Sequence, residues 1–423
     1  MSRVFASICL VLMVTILDGC NPGPGAGIRR PSYPALTQST KTYNWLVLKC
    51  QLSDASNIPT GLDTKIQQFF GISGSGYGNI VDYFHDVSYN HASVVSSTTV
   101  GWIKAPFNTA SLQSGPLAPA SARPQRVSQC LNAVPANQLP DLSQFYGVVA
   151  INNVVNDGGA CATGPIATKV GNDTFQLACV WFDPNSLYTA FAAHEIGHGL
   201  GFTHSFDDSQ SNCGGRPGEY CDPWDIMSAL GTYQFNDPNW PSPGQPGYAG
   251  PGVSTPDLIL MDWLPANNLQ FYPTQGGEQT YTIHALSHPR AGVPMVVIIP
   301  IPSLQGRAQF ATVEYRQNDG WDAGFPKPEG SANAGFVLVH RGNSSPNSQL
   351  SMLIENNKQG QLQPCGRLTF GFDSGIVFHV TAESFNFADG SAVVSMGFGS
   401  TGKLVFCATT QVKSPGGLIF SKP

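Results

Sequence analysis

The stretch HEIGHGLGFTH, residues 194–204, sets three histidines, a glutamate and a glycine at spacings suited to a metal ion. His194 and His198 are four residues apart, so a helix places both imidazoles on one face, where they can share the ion. Glu195 lies one step on from a ligand. It cannot easily reach the metal, but it can reach a water in an open coordination position and take its proton. Gly201 permits the left-handed backbone that ends a helix, and the turn after it brings His204 round as a third ligand. Three neutral imidazoles plus one water describe a catalytic zinc site, whereas a closed structural site takes four protein ligands, usually with thiolates. The chemistry is hydrolysis: zinc polarises a carbonyl and lowers the pKa of its water to about 7, while Glu195 carries the water proton to the leaving group. A bare His-Glu-x-x-His arises by accident in roughly three chains per thousand of this length, and adding Gly201 and His204 reduces that to on the order of one in 10^5. The apolar flanks YTAFAA and GLGF would also suit a buried helix. A core, however, has no use for three histidines converging beside a glutamate.

This extended pattern resembles the metzincin clan of zinc endopeptidases, whose other mark is a tight turn bearing a methionine beneath the metal. The segment DPWDIMS, 222–228, supplies Met227. By the resemblance, Met227 forms an apolar floor under the ligands and carries no chemistry of its own. Astacins and serralysins place a tyrosine two residues after this methionine. Ala229 stands there in this chain, which argues against those subfamilies and against a tyrosine ligand, leaving the fourth position to water. The segment from Asp82-Tyr83-Phe84 through Ser88-Tyr89 to Gly101-Trp102, together with VEYRQNDGWDAGF at 313–325 and GFVLVHR at 335–341, is similar to the gametolysin and immune-inhibitor-A groups. The likeness covers most of residues 44–345. It implies a zinc-dependent endopeptidase acting on a protein or peptide substrate, with His194, His198 and His204 on one catalytic zinc and Glu195 as general base.

Two other function classes share the signature. One is a zinc amidohydrolase acting on a cell-wall cross-link or a small amide, which a closed pocket would favour; an open cleft bordered by a sheet edge favours the endopeptidase. The other is a non-catalytic surface-adhesion protein, against which the intact Glu195 counts. A calcium ion is a lesser expectation: Asp207, Asp208, Asp222 and Asp225 offer oxygen ligands near the site, but their spacing matches no calcium loop, and turns and solvent are the expected setting for them.

The elements that must position these residues are an α+β set. NWLVLKCQL (44–52) reads as a strand, LDTKIQQFFG (62–71) as a short helix, and residues 76–103 as a helix followed by a twisted strand pair. YGVVAINNV (146–154) reads as a buried strand, and ACVWF (178–182) as an edge strand that could bind an extended substrate by strand addition. Residues 103–140, rich in Pro, Ala, Ser and Gln, read as an irregular insertion, and DLILMDWL (257–264) as a closing helix. Beyond 268, short β-branched or alternating segments separated by Gly, Pro, Asn and Ser turns suggest a β-sandwich. The expected fold is therefore a metzincin-like catalytic domain over 44–268, a twisted mixed sheet with an active-site helix, followed by a C-terminal β-sandwich over 269–423. His284, His288, His340 and His379 lack ligand spacing there and read as strand or surface histidines.

Export is written into the amino terminus. Arg3 and the apolar run VFASICLVLMVTIL form a secretory signal over 1–20, too short to span a bilayer comfortably, followed by a proline-rich leader over 21–43. LDGC at 17–20 resembles a bacterial lipobox, with Asp18 unusual at its position. Cleavage near Gly19 is the expected processing, and a lipid on Cys20 is the sole route to membrane attachment. In a eukaryotic setting Asn172 and Asn343 would instead be glycan acceptors. With 46 glycines, 33 prolines, only 11% charged residues and a net charge of −6, the chain suits a loop-rich extracellular protein and not a nucleic-acid binder. Beyond Cys9 and Cys20 there are eight cysteines, an even number that reads as disulfides. Proximity favours Cys161 with Cys179 and Cys213 with Cys221, and Cys365 with Cys407 is a candidate bridge of the sandwich. Cys50 is the candidate if a thiolate blocks the zinc in a latent form.

Overall fold

The computed structural model describes residues 40–71, 79–236, 248–273, 276–301, 309–327, 333–345, 348–355, 361–371 and 375–399. The signal, the lipobox with Cys20, the leader before residue 40, the last expected strand and Cys407 lie outside the described residues. The architecture is mixed α+β with several sheets.

The first sheet forms from β1 (Lys41–Gln51), β2 (Ala92–Lys104), β3 (Gly147–Asn152), β4 (Gly159–Ala160), β5 (Ile166–Val170) and β6 (Asp173–Phe182) in the order β2-β1-β3-β6-β4, with β5 also on β6. The first four strands of that order run parallel, and β4 runs antiparallel to β6. Side chains alternate strictly between two cores. Trp45, Val47, Val149, Ile151, Val180 and Phe182 face one layer, and Leu46, Leu48, Val148, Ala150, Leu177 and Trp181 face the other. Parallel strands covered on both faces by helices read as unbroken apolar runs.

On the first face lie α1 (Leu62–Phe70), α2 (Ile80–Val87) and the helix that carries His194 and His198; α3 (Thr109–Gln113) and α4 (Arg123–Asn132) cover the second. Asn79 caps α2 by accepting the amides of Val81 and Asp82 at 2.7 and 3.2 Å. Three sequence expectations are corrected here. Residues 92–104 form one long strand, not a pair. The 103–140 stretch folds into α3 and α4, whose apolar positions Leu112, Val127 and Leu131 are buried. ACVWF lies inside the sheet between β3 and β4, so the edge is β4.

That histidine-bearing helix is α5 (Thr189–Leu200). After it come β7 (Ser205–Asp207), the hairpin of β8 (Phe235–Asn236) with β9 (Tyr248–Ala249), and α6 (Thr255–Leu260). The remaining strands are β10 (Leu269–Phe271), β11 (Gln279–His284), β12 (Val296–Ile301), β13 (Gln309–Gln317), β14 (Gly335–Ser345), β15 (Ser348–Leu353), β16 (Gln361–Leu362), β17 (Arg367–Gly371), β18 (Val377–Asn386) and β19 (Ser391–Phe398). One sheet runs β10-β12-β13-β14-β15-β7 with β16 on β14, and a second, antiparallel, runs β11-β19-β18-β17. Val313, Val337 and Val339 of the first meet Val380, Val394 and Met396 of the second in one apolar core. Strand β7, which follows His204 directly, pairs in parallel with β15, so hydrogen bonds tie the end of the His194–His204 segment to the carboxy-terminal sheet.

Candidate metal centre

Every residue of α5 except Phe191 is buried. Gly201 ends the helix with φ 115°, its amide reaching the Gly197 and His198 carbonyls, as the sequence predicts. Gly197 has a second role. A Cβ there would lie 2.9 Å from Met227 Sδ and 3.0 Å from Phe202, so its absence lets the methionine close onto the helix between the two ligands.

His194, His198 and His204 converge, with one potential ligand atom from each lying within 4.8 Å of the others. What surrounds them decides which nitrogen is free. Nδ1 of His194 meets the Ile226 carbonyl at 3.0 Å, Nδ1 of His198 the Phe202 carbonyl at 2.8 Å, and Nδ1 of His204 the Glu219 carboxylate at 2.6 Å. A carbonyl or carboxylate only accepts, so each Nδ1 carries the hydrogen and each Nε2 keeps its lone pair. His194 Nε2 and His198 Nε2 then face each other at 3.1 Å. Two lone pairs at that distance repel unless a cation shares them, and this donor set fits a zinc ion. Burial lowers both His194 and His198 to about 4, keeping them neutral at physiological pH.

Glu195 is buried beside them, and its Oε2 accepts the Ala160 amide of the edge strand at 2.6 Å. Burial raises its pKa, with His198, the Ala160 amide and Arg123 acting in the opposite sense. Met227 is fully buried in the turn Ile226–Gly231, which Asp225 caps by accepting the Met227 amide at 3.1 Å. The residue before it, Ile226, is the one that orients His194.

Two residues to which no sequence motif points stand here. Glu219 orients His204, and its other oxygen accepts the Arg216 amide at 2.7 Å. Burial would raise this carboxylate, but the Arg216 amide and His204 outweigh it and hold it at about 2. The hydroxyl of Tyr220 lies 2.8 Å from His204 Nε2. Ala229 leaves no tyrosine after the methionine, yet a tyrosine hydroxyl reaches His204 from before Met227. Burial raises the Tyr220 phenol to about 12, so it remains a hydroxyl at neutral pH. Tyr220 itself has φ 65°, rare for an aromatic residue, and is flanked by the Cys213–Cys221 bridge. An acid and a tyrosine set between the third histidine and Met227, against a cysteine staple, were the available signal.

The edge strand is braced from behind. Asp157 pairs with Arg123 at 2.7 Å and with the fully buried Arg126 at 2.8 Å. Burial works to raise Asp157, and the two arginines more than reverse it, leaving the carboxyl below its ordinary value.

Disulfides join Cys161 to Cys179 and Cys213 to Cys221, as proximity suggests, and Cys50 to Cys130. The last removes Cys50 as a blocking thiolate. Among the described residues the three histidines are the sole group of three or more acidic, histidine or cysteine side chains placed to share a metal. Asp207, Asp208, Asp222 and Asp225 do not converge on a calcium. Asp222 and Asp225 are not solvated either: Asp222 bonds the Trp224 amide and His340, and Asp225 bonds the Met227 amide and Ser205. His340, read as an ordinary strand histidine, lies on β14 in that buried network.

No family model matches the chain, and no curated protein matches it. Among solved structures, catalytically inactive OgpA from Akkermansia muciniphila, in complex with an O-glycopeptide substrate (glycodrosocin), aligns at 12% identity over 87% of this chain and 97% of that one, with a TM-score of 0.26. A likeness of that size fixes neither fold nor function.

Proposed function

We propose that this chain is a secreted zinc-dependent endopeptidase of the metzincin kind, with a protein or peptide substrate. The observation that carries the reading is the orientation of the three histidines: an acceptor at each Nδ1 turns each Nε2 lone pair toward one point, beside a buried glutamate. His194, His198 and His204 would hold zinc. The ion would supply Lewis-acid polarisation of a scissile carbonyl and a water acidic enough to lose its proton near neutral pH. Glu195 is anchored through Oε2 to the Ala160 amide, so Oε1 is the atom that takes the water proton and returns it to the leaving nitrogen. The closely packed Met227 supports the ligand helix from below and, through its neighbour Ile226, holds the His194 ring. The three disulfides support an oxidising compartment.

The test pairs zinc content, by elemental analysis, with cleavage of an unfolded protein mixture, on wild type and Glu195→Ala made through an oxidising secretory route. One zinc in each, with internal cleavage by wild type alone, is the expected result. Zinc in the wild type with no cleavage of any protein or peptide would sink the endopeptidase reading.

A further inference from the structure

We propose that Arg123 is a positioning residue, which fixes the outward face of edge strand β4 and, through the Ala160 amide, the carboxylate of Glu195. The proposal rests on the reading of Glu195 as general base.

The geometry starts in the sheet. The Ala178 amide bonds the Tyr146 carbonyl and the Cys161 amide bonds the Cys179 carbonyl, so even residues of β6 face β3 and odd ones face β4. Ala160 stands opposite Val180, which leaves its own N–H and C=O pointing away from the sheet. Neither is free. The N–H donates to Glu195 Oε2 at 2.6 Å, and the C=O accepts from Arg123 Nη1 at 3.2 Å. Arg123 Nη2 donates to the preceding outward carbonyl, that of Gly158, at 2.7 Å. One guanidinium thus spans two successive carbonyls of the edge, as a neighbouring strand would.

The fork is itself held. Asp157 takes Arg123 Nε at 3.0 Å and Nη2 at 2.7 Å, and also Arg126, whose remaining nitrogens bond the carbonyls of Leu117, Ala118 and Pro119. Gly159 makes room: a Cβ there would lie 2.1 Å from Arg123 Nη1. Attachment of β4 to the sheet does not depend on this arginine, because the β6 ladder and the Cys161–Cys179 bridge already provide it. What Arg123 adds is the aim of Gly158–Ala160. Misplacing a general base by a fraction of an ångström costs turnover without costing binding.

A rival role makes the opposite forecast. Arg123 and Glu195 occupy the donor and acceptor that a substrate strand would use at Ala160, so Arg123 as a plug would weaken substrate binding, and its removal would lower KM.

The experiment uses the full, oxidised chain as wild type, Arg123→Ala, Arg123→Lys and Gly159→Ala, with zinc content, Tm, kcat and KM measured on a peptide the wild type cuts. The expected result for Arg123→Ala is unchanged zinc, KM within about twofold and kcat down about 10- to 100-fold. Arg123→Lys should recover part of kcat, since a point charge replaces the fork at one carbonyl only. Gly159→Ala, which keeps the arginine but evicts it, should lower kcat likewise. If Arg123→Ala does not fold, Arg123→Lys decides by the same split. A kcat within twofold of wild type, or a lower KM with kcat unchanged, overturns the proposal while leaving the endopeptidase reading standing. A wild type that cuts nothing overturns both.

Discussion

Asp222 and His340, 118 residues apart in sequence and both fully buried, meet at 3.0 Å between Oδ2 and Nε2. Asp222 lies in the segment leading to Met227, and His340 on β14 of the carboxy-terminal sheet, so the contact fastens the floor of the metal centre to that sheet. Glu314 stands 3.7 Å from the other ring nitrogen. Burial would lower the His340 pKa; Glu314 and Asp222 outweigh it and raise it. A raised histidine contributes its stabilisation fully below its unfolded pKa, about 6.5, and loses it as pH rises through the folded value. His340→Leu leaves Asp222 buried without its partner, a loss of about 3–5 kcal/mol. Urea unfolding should show that penalty largest near pH 6 and smaller at pH 9. A penalty that does not change with pH would place the whole cost in packing.

Glu219 should tune the metal through His204. It accepts the ring Nδ1 hydrogen at 2.6 Å, and such outer partners fix ring orientation and raise ligand basicity. Glu219→Gln keeps the shape and removes the charge. Zinc affinity, measured by competition with a chelator, is expected to fall about 10- to 100-fold. An unchanged affinity would mean that the loop holds His204 without the carboxylate.

Tyr220 offers a test on the other side of the same histidine. Its hydroxyl lies 2.8 Å from His204 Nε2, so with zinc on that nitrogen it would be released to donate to an oxygen that gains negative charge. Tyr220→Phe removes only that donor. Zinc content and KM should stay near wild type while kcat falls about 100-fold, in the range seen for loss of one such donor. Equal loss of zinc and activity would make the tyrosine a prop for His204 and no more.

The parts of the centre that the sequence disclosed are those written within one helical turn or one close loop. His194 and His198 are brought together by α5 itself, Gly201 by its own left-handed backbone, and Cys213–Cys221 by a short span. An unbroken apolar run likewise made β1 and β3 legible, because it records burial on both faces. It does not record which strand is the neighbour. ACVWF is apolar on both faces whether it lies at an edge or inside, and only β4, two residues long, makes it interior. Cys50–Cys130 and Asp222–His340 depend on which distant segments fold together, so no local pattern announces them. Arg123 was hidden for a related reason: α4 is short and its polar residues resemble those of a loop, while the carbonyls it binds belong to glycine and alanine, whose side chains say nothing.

Asp257 yields the last prediction. It sits in the first turn of α6, 1% exposed, and neither carboxyl oxygen has a hydrogen-bond partner. Burial, with Asp225 and Asp222 nearby, raises its pKa well above the ordinary value. The native state therefore binds a proton that the unfolded chain releases, and stability from this group is present below about pH 3.9 and declines as pH rises beyond it. Asp257→Asn removes the ionisation at nearly constant volume. Asparagine, like the protonated acid, is neutral, so the two native states differ little, whereas only the wild-type unfolded chain gains free energy by ionising as pH rises past about 3.9. The variant should therefore match wild type at pH 4 and exceed it at pH 8 in urea unfolding. A less stable variant at pH 8 would show that the carboxylate is ionised and compensated in the native state.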